Sequence, residues 1–155
     1  CLSSIKDDYD YILLDCQPSL GMLTINALAS ANSVIIPVQS EYFALRGMTD
    51  LFKIINKVRR QINPTLKIEG ALLTLVDSRA NLPKEIATQD NYGSILKLFN
   101  TQIPRAVKTA ESTSSGGSVF SYDKSGRVAN AYSSFAKEVL NDGKEHTKNA
   151  TAKVR

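Results

Sequence analysis

The chain has 155 residues, 43% of them hydrophobic and 22% charged, which is enough for one globular domain with a core of its own. No apolar run approaches the roughly 18–20 residues that a membrane-spanning helix needs, and the opening Cys1-Leu2-Ser3-Ser4-Ile5-Lys6 carries no secretory signal pattern. The net charge of +4 is a mild basic excess of the kind that suits contact with nucleic acid without requiring it.

Two cysteines, Cys1 and Cys16, are too few for a disulfide framework and read as free thiols. A single histidine, His146 in a polar tail, argues against a metal cluster and against a Ser-His-Asp triad. With Cys1 in the place of an initiator Met, the chain is expected to be a piece of a longer protein.

In chain order, Tyr9-Asp10-Tyr11-Ile12-Leu13-Leu14-Asp15 is an apolar run ending in an acid and is predicted to be a strand buried on both faces. Cys16 to Ser19 is a loop. Leu20, Leu23, Ala27, Leu28 and Ala31 then recur at helical spacing, with Ser19 as the expected N-cap. Ser33-Val34-Ile35-Ile36-Pro37-Val38 predicts a second buried strand, with Pro37 near its end. A long amphipathic helix follows, with Leu45, Met48, Leu51, Phe52, Ile55, Val58 and Ile62 on one stripe and Asn63-Pro64 as the stop.

Ile68 to Val76 predicts a third strand, ending at Asp77. A helix is expected from about Pro83, with Ile95, Leu96, Leu98 and Phe99 in its later turns. Thr101 to Pro104 reads as a short strand or strand end. Ser112 to Ser118 reads as a Ser/Gly loop, and Val119 to Asp123 as a short extended piece. The last helix carries Val128, Ala131, Tyr132, Phe135, Val139 and Leu140 on one face and is expected to stop at Gly143. Residues 1–141 are therefore assigned to one domain, and 142–155 to a polar tail in which Lys144, Lys148, Lys153 and Arg155 outnumber Asp142 and Glu145.

Buried strands alternating with helices predict an α/β layered sheet of mainly parallel strands with flanking helices. Ligands of such sheets bind at the carboxyl ends of the strands. That rule selects the candidate residues. Asp15 could hold a Mg²⁺ beside a phosphate, or help to cap the following helix. Gly21 could let backbone approach a phosphate, or serve packing at the helix start. Asp77 could close a nucleotide pocket, or act as an N-cap or surface ion-pair partner. Arg105 and Lys108 could face phosphates of a nucleotide or of DNA, or be scattered surface charge. Lys53, Lys57, Arg59 and Arg60 read as the solvated face of one helix. No G-x-x-x-x-G-K-[ST] phosphate loop occurs anywhere, and Ser114-Ser115-Gly116-Gly117-Ser118 is not one because it lacks the lysine.

The segment from Tyr9 to Gly21 resembles the Walker B and switch II region of the ParA/Soj partitioning ATPases, within the MinD/ParA group of P-loop NTPases. The likeness continues in order through Thr24 to Leu28, Ile36 to Leu45, Leu72 to Leu82, Ile103-Pro104-Arg105 and Tyr122-Asp123, covering about Asp8 to Leu140. It departs after Pro104-Arg105, where Ala106 to Gly116 rewrites the family's usual loop apart from the charges at Lys108 and Glu111.

The resemblance implies the C-terminal portion of a Rossmann-like P-loop ATPase domain whose Walker A loop lies outside this chain. The complete protein would bind ATP and Mg²⁺, form a homodimer around the nucleotide and coat DNA nonspecifically. A ParB-type partner would stimulate hydrolysis, and chromosome or plasmid copies would be moved apart. The implied location is cytoplasmic, at the nucleoid. Carried residue by residue, Asp15 would be the Walker B acid near Mg²⁺, and Pro18 to Gly21 the switch that senses the γ-phosphate. Thr74, Asp77, Pro104 and Arg105 would line the adenine side. Arg79, Arg105 and Lys108 would be candidates for DNA contact. Without a Walker A loop, the chain by itself is expected to bind ATP poorly and to be inactive. Two other readings stay open: a truncated, non-enzymatic DNA- or partner-binding module of the same fold, and a MinD-like ATPase. The second predicts an amphipathic membrane helix at the C-terminus, whereas Gly143 to Arg155 has only Val154 as a large apolar residue, so no membrane partner is expected.

Overall fold

A computed structural model of the chain describes residues 2–17, 19–39, 45–77 and 96–152. After a short 3₁₀ turn at Leu2–Ser4, the elements are α1 (Met22–Ser30), β1 (Ser33–Gln39), α2 (Leu45–Gln61), β2 (Lys67–Thr74), α3 (Val107–Ser114), α4 (Val119–Tyr122) and α5 (Arg127–Ala152). The expected α/β class is borne out.

β1 and β2 are hydrogen-bonded neighbours in one sheet. The Lys67 N–H donates to the Asn32 carbonyl, and the Thr74 hydroxyl donates to the Val38 carbonyl. Sequence number thus rises along both strands together, and the pair is parallel. Both strands are apolar and mostly inward-facing, as strands covered by crossover helices must be: Ile36 and Val38 are buried, and so are Ala71, Leu72 and Leu73. Pro37 is exposed.

The chain forms two compact units, Cys1–Val34 with Ala44–Ile68, and Ile35–Phe43 with Glu69–Arg155. In the first, α1 packs on α2. Leu28 is buried on α1 and Phe52, Ile55 and Val58 on α2, with Leu66 buried after it. Asn63 does more than stop α2. Its side-chain amide donates to the carbonyls of Leu28 and Ala31 at 3.0 and 2.7 Å, which satisfies acceptors that the end of α1 leaves unpaired.

In the second unit Leu72, Phe99, Ile103 and Val128 form the buried centre, with Phe135 and Val139 of α5 packed against it. Phe99 and Phe135 meet edge to face, with ring centroids 5.0 Å apart. The segment 96–105 runs beside β2 through parallel bridges Ala71–Leu98 and Val76–Pro104. Gly70 is the close point of that pairing, because a Cβ there would lie 2.7 Å from the Lys97 carbonyl oxygen and 3.1 Å from the Phe99 ring.

Several expectations are corrected. Residues 9–15 form no strand: among the described residues nothing pairs with them, and Tyr9, Tyr11 and Leu13 are exposed, Leu13 by 90%. A strand exists only through its neighbours' hydrogen bonds. Leu20 and Leu23 are exposed, and α1 is N-capped by Gly21 rather than Ser19. Ile62 lies beyond the end of α2 and is exposed. The helix expected to carry Leu96, Leu98 and Phe99 is not there: the β2 edge captures these residues as extended chain, and tertiary pairing outweighs local periodicity. The rest of that expected helix lies outside the described residues.

Ser112 to Ser114 belong to α3 instead of a loop, their hydroxyls donating back to carbonyls three or four residues earlier. Val119–Tyr122 is a helical turn capped by Ser118, not an extended piece. Tyr132 and Leu140 stay exposed on α5, which leaves a narrower apolar stripe than the pattern suggested. α5 runs through Gly143 to Ala152. A glycine inside a helix costs about 1 kcal/mol against alanine, which by itself does not end one.

Candidate functional site

In the first unit the candidate region is the stretch that leads into α1. Asp15 is exposed, and among the described residues none hydrogen-bonds to or pairs with its carboxylate. An unshared, solvated carboxylate suits Mg²⁺, which keeps several waters and takes only one or two protein carboxylates beside phosphate oxygens. No group of three or more His, Cys, Asp or Glu that could hold a metal ion occurs among the described residues. Pro18 lies outside the described residues.

The turn after Pro18 is closed by the Thr24 hydroxyl, which donates to the Ser19 carbonyl at 2.6 Å. Gly21 has φ −85° and ψ −174°, extended backbone that any residue adopts. A Cβ on Gly21 would meet only the Ser19 hydroxyl, at 3.7 Å. Packing within the described fold therefore gives no reason for glycine at this position. The first turn of α1 carries no acidic residue, so its N-terminal dipole is not met by a side chain of its own.

In the second unit the carboxyl end of β2 is irregular. Ile103 donates its N–H to the Leu73 carbonyl and accepts at its own carbonyl from the Val76 N–H. Thr74 and Leu75 thus stand opposite one residue, which is a β-bulge. Leu75 occupies the left-handed region at φ 53°, alone among the described non-glycine residues. Such conformations are uncommon for a leucine and gather where a strand end is shaped for a task. Beyond the bulge, Val76 pairs with Pro104 and accepts from the Arg105 N–H.

This pairing brings together four residues picked from the sequence: Thr74, Asp77, Pro104 and Arg105. The Thr74 hydroxyl spends its proton on Val38, at 3.3 Å. Asp77 and Arg105 are exposed. Lys108, in the first turn of α3, lies 3.1 Å from the Asp123 carboxylate. Arg79 lies outside the described residues.

Comparison with known proteins adds identity to this geometry. A family model described as an AAA domain matches residues 1–68. The sporulation initiation inhibitor protein Soj of Bacillus subtilis is 44% identical over 142 residues, 92% of this chain and 56% of that protein. The chromosome-partitioning ATPase Soj of Treponema pallidum is 45% identical over 90% of this chain and 55% of its own length. The chromosome partitioning protein ParA of Myxococcus xanthus is 40% identical over 90% and 49%. The chain is a homologue of the Soj/ParA partitioning ATPases. It spans about half the length of the curated relatives it matches.

The fold of this chain is shared by a solved protein. Cobyrinic acid a,c-diamide synthase from Mycobacterium smegmatis, with bound ATP analog and magnesium, is 34% identical to this Soj/ParA homologue with a TM-score of 0.74, over 90% of this chain and 51% of that one. The same enzyme has also been solved with bound ADP and magnesium, again at a TM-score of 0.74.

Sequence reasoning missed three features of this Soj/ParA homologue: the bulge at Leu75, the close approach at Gly70, and Glu138 on α5. The Glu138 carboxylate accepts from two successive backbone N–H groups, Asn100 at 2.7 Å and Thr101 at 2.9 Å. Partial burial pushes the Glu138 carboxyl up, but the hydrogen bonds from Thr101 and Asn100 outweigh it and hold the group below the usual glutamate range. A glutamate on a mostly polar helix face carries no sequence signal for that role.

Proposed function

We propose that this chain is the C-terminal part of a Soj/ParA-type ATPase that binds Mg-ATP, dimerises around it and holds DNA nonspecifically until a ParB-type partner stimulates hydrolysis. The observation that carries the reading is identity of 40–45% to three Soj and ParA proteins across nine-tenths of the chain. The nucleotide- and magnesium-bound state of the cobyrinic acid a,c-diamide synthase supports the cofactors.

In this reading Asp15 is the Walker B acid. It would hold the Mg²⁺, directly or through a water. Magnesium supplies charge neutralisation at the phosphates when bound. Pro18 to Gly21 form the switch. The small size of Gly21, which packing does not demand, leaves room for the backbone to approach the γ-phosphate. Thr74, Asp77, Pro104 and Arg105 form the adenine side. Arg79, Arg105 and Lys108 are the DNA-contact candidates. Lys108 is solvent-exposed in its pair with the partly covered Asp123, which leaves its ammonium accessible to a DNA phosphate. The working location is the cytoplasm, at the nucleoid.

The phosphate cradle belongs to the part of the relatives' length that this chain does not span. Calorimetry of Mg-ATP binding tests the whole reading, on this chain and on a longer version joined to the preceding half of a Soj-type relative. Binding by the longer version alone, with hydrolysis abolished by Asp15→Ala, is the expected result. Equal binding by both would place the phosphates on other residues and defeat the proposal.

A further inference from the structure

Glu138 lies outside every motif that relates this chain to partitioning ATPases, yet it closes an irregularity next to the proposed adenine side. The pairing of segment 96–105 with β2 starts regularly. The Ala71 N–H donates to the Lys97 carbonyl, and the Phe99 N–H donates to the Ala71 carbonyl. Continued in register, Thr101 would be the next donor, to the Leu73 carbonyl. Ile103 donates there instead. The residues between Phe99 and Ile103 are pushed out of the ladder, and the Thr101 N–H loses its acceptor on β2, while the Asn100 N–H, which alternation turns away from β2, has none there in either register.

The carboxylate of Glu138 satisfies both, one oxygen to each N–H. Bonds to an ionised acceptor are about twice as strong as neutral ones. α5 is held against the same segment from below by Phe135 on Phe99, and at its far side by the Lys97–Asp142 ion pair. Three consecutive turns of one helix thus grip residues 97–101.

What this grip fixes is the start of Ile103-Pro104-Arg105. On one side that tripeptide is set by the bulge at Leu75, through bonds to Leu73 and Val76. On the other it is set by where Asn100 and Thr101 are anchored. We infer that Glu138 is a positioning residue for nucleotide binding: by capping the displaced Asn100 and Thr101 N–H groups, it sets the register in which Pro104 and Arg105 meet the nucleobase. The inference rests on the proposed adenine-side role of Pro104 and Arg105. The ligand class is a purine nucleotide, and only its base and ribose, not its phosphates, depend on Glu138.

The test compares Mg-ATP with magnesium tripolyphosphate, which has the phosphates but no base, on the longer version described above. Glu138→Gln removes one of the two acceptors and the charge. It is expected to weaken ATP binding about tenfold, the equivalent of losing one charge-assisted hydrogen bond, and to leave tripolyphosphate binding unchanged. Glu138→Asp keeps the charge and is expected to recover part of the loss. Amide hydrogen exchange supplies a readout independent of ligand, with Asn100 and Thr101 losing protection in Glu138→Gln while Phe99 and Ile103 keep theirs.

Equal weakening of ATP and tripolyphosphate would mean that Glu138 serves only the fold and would overturn the inference. So would unchanged ATP binding in Glu138→Gln. Pro104→Gly separates the two levels. If it weakens ATP binding while Glu138→Gln does not, the positioning role fails and the adenine-side reading survives. If neither variant matters, both fail.

Discussion

At the residue scale, Gly70 and Glu138 show how one position can decide a pairing. The Cβ of an alanine at position 70 would sit 2.7 Å from the Lys97 carbonyl oxygen, and that atom is backbone, held in the ladder by Ala71. Gly70→Ala is expected to destabilise the fold by about 1–3 kcal/mol, read as a lowered thermal midpoint. Glu138 makes a prediction in pH. Its folded pKa lies below its ordinary value, so its contribution to stability is fully present above the unfolded pKa of about 4.3 and is lost as pH falls through the folded value. Wild type and Glu138→Gln should differ in stability at pH 7 and converge in acid. A difference that persists below pH 3 would mean that the side chain acts through its shape and not its charge. Nothing in the sequence pattern marks either residue, because each acts on backbone groups far away in sequence.

At the scale of elements, propensity and tertiary pairing share the outcome. β1, α2 and β2 form where apolar periodicity places them, because each has a continuous apolar face and a neighbour to cover it. Residues 96–99 have helical periodicity too, but the β2 edge offers them hydrogen bonds that an isolated helical turn cannot match. The junction of α1 and α2 depends on a side chain. Asn63→Ala removes both bonds to the Leu28 and Ala31 carbonyls and should cost about 1–2 kcal/mol in denaturant unfolding. An effect below a few tenths would show that water replaces the amide there. The Asn63-Pro64 stop was legible in the sequence, whereas the second duty of Asn63 was not.

At the scale of the whole molecule, Leu13 is 90% exposed in a segment whose relatives run to about twice this length. If the proposed parent covers that segment with a neighbouring strand, the effect of a charge at Leu13 depends on context. Leu13→Asp should change the stability of this chain by no more than about 0.5 kcal/mol, as a substitution at an exposed position does. In the longer version the same change should cost about 2 kcal/mol or more, the cost of losing a buried leucine and burying a charge. Equal, small effects in both would mean that Leu13 faces solvent in the parent as well.

The sequence by itself determined the α/β class, the parallel pairing of its apolar strands, the long amphipathic α2 and the Soj/ParA likeness. Those follow from local periodicity and from residue types at fixed spacing, which a linear text records. Only the tertiary structure decided that residues 9–15 stay unpaired among the described residues, that 96–99 join the β2 edge, that Leu75 is bulged and that Glu138 caps Asn100 and Thr101. The reason is common to all four. A strand, a bulge and a cap are defined by which backbone N–H finds which acceptor, and those partners lie in parts of the chain, or beyond it, that no local pattern connects.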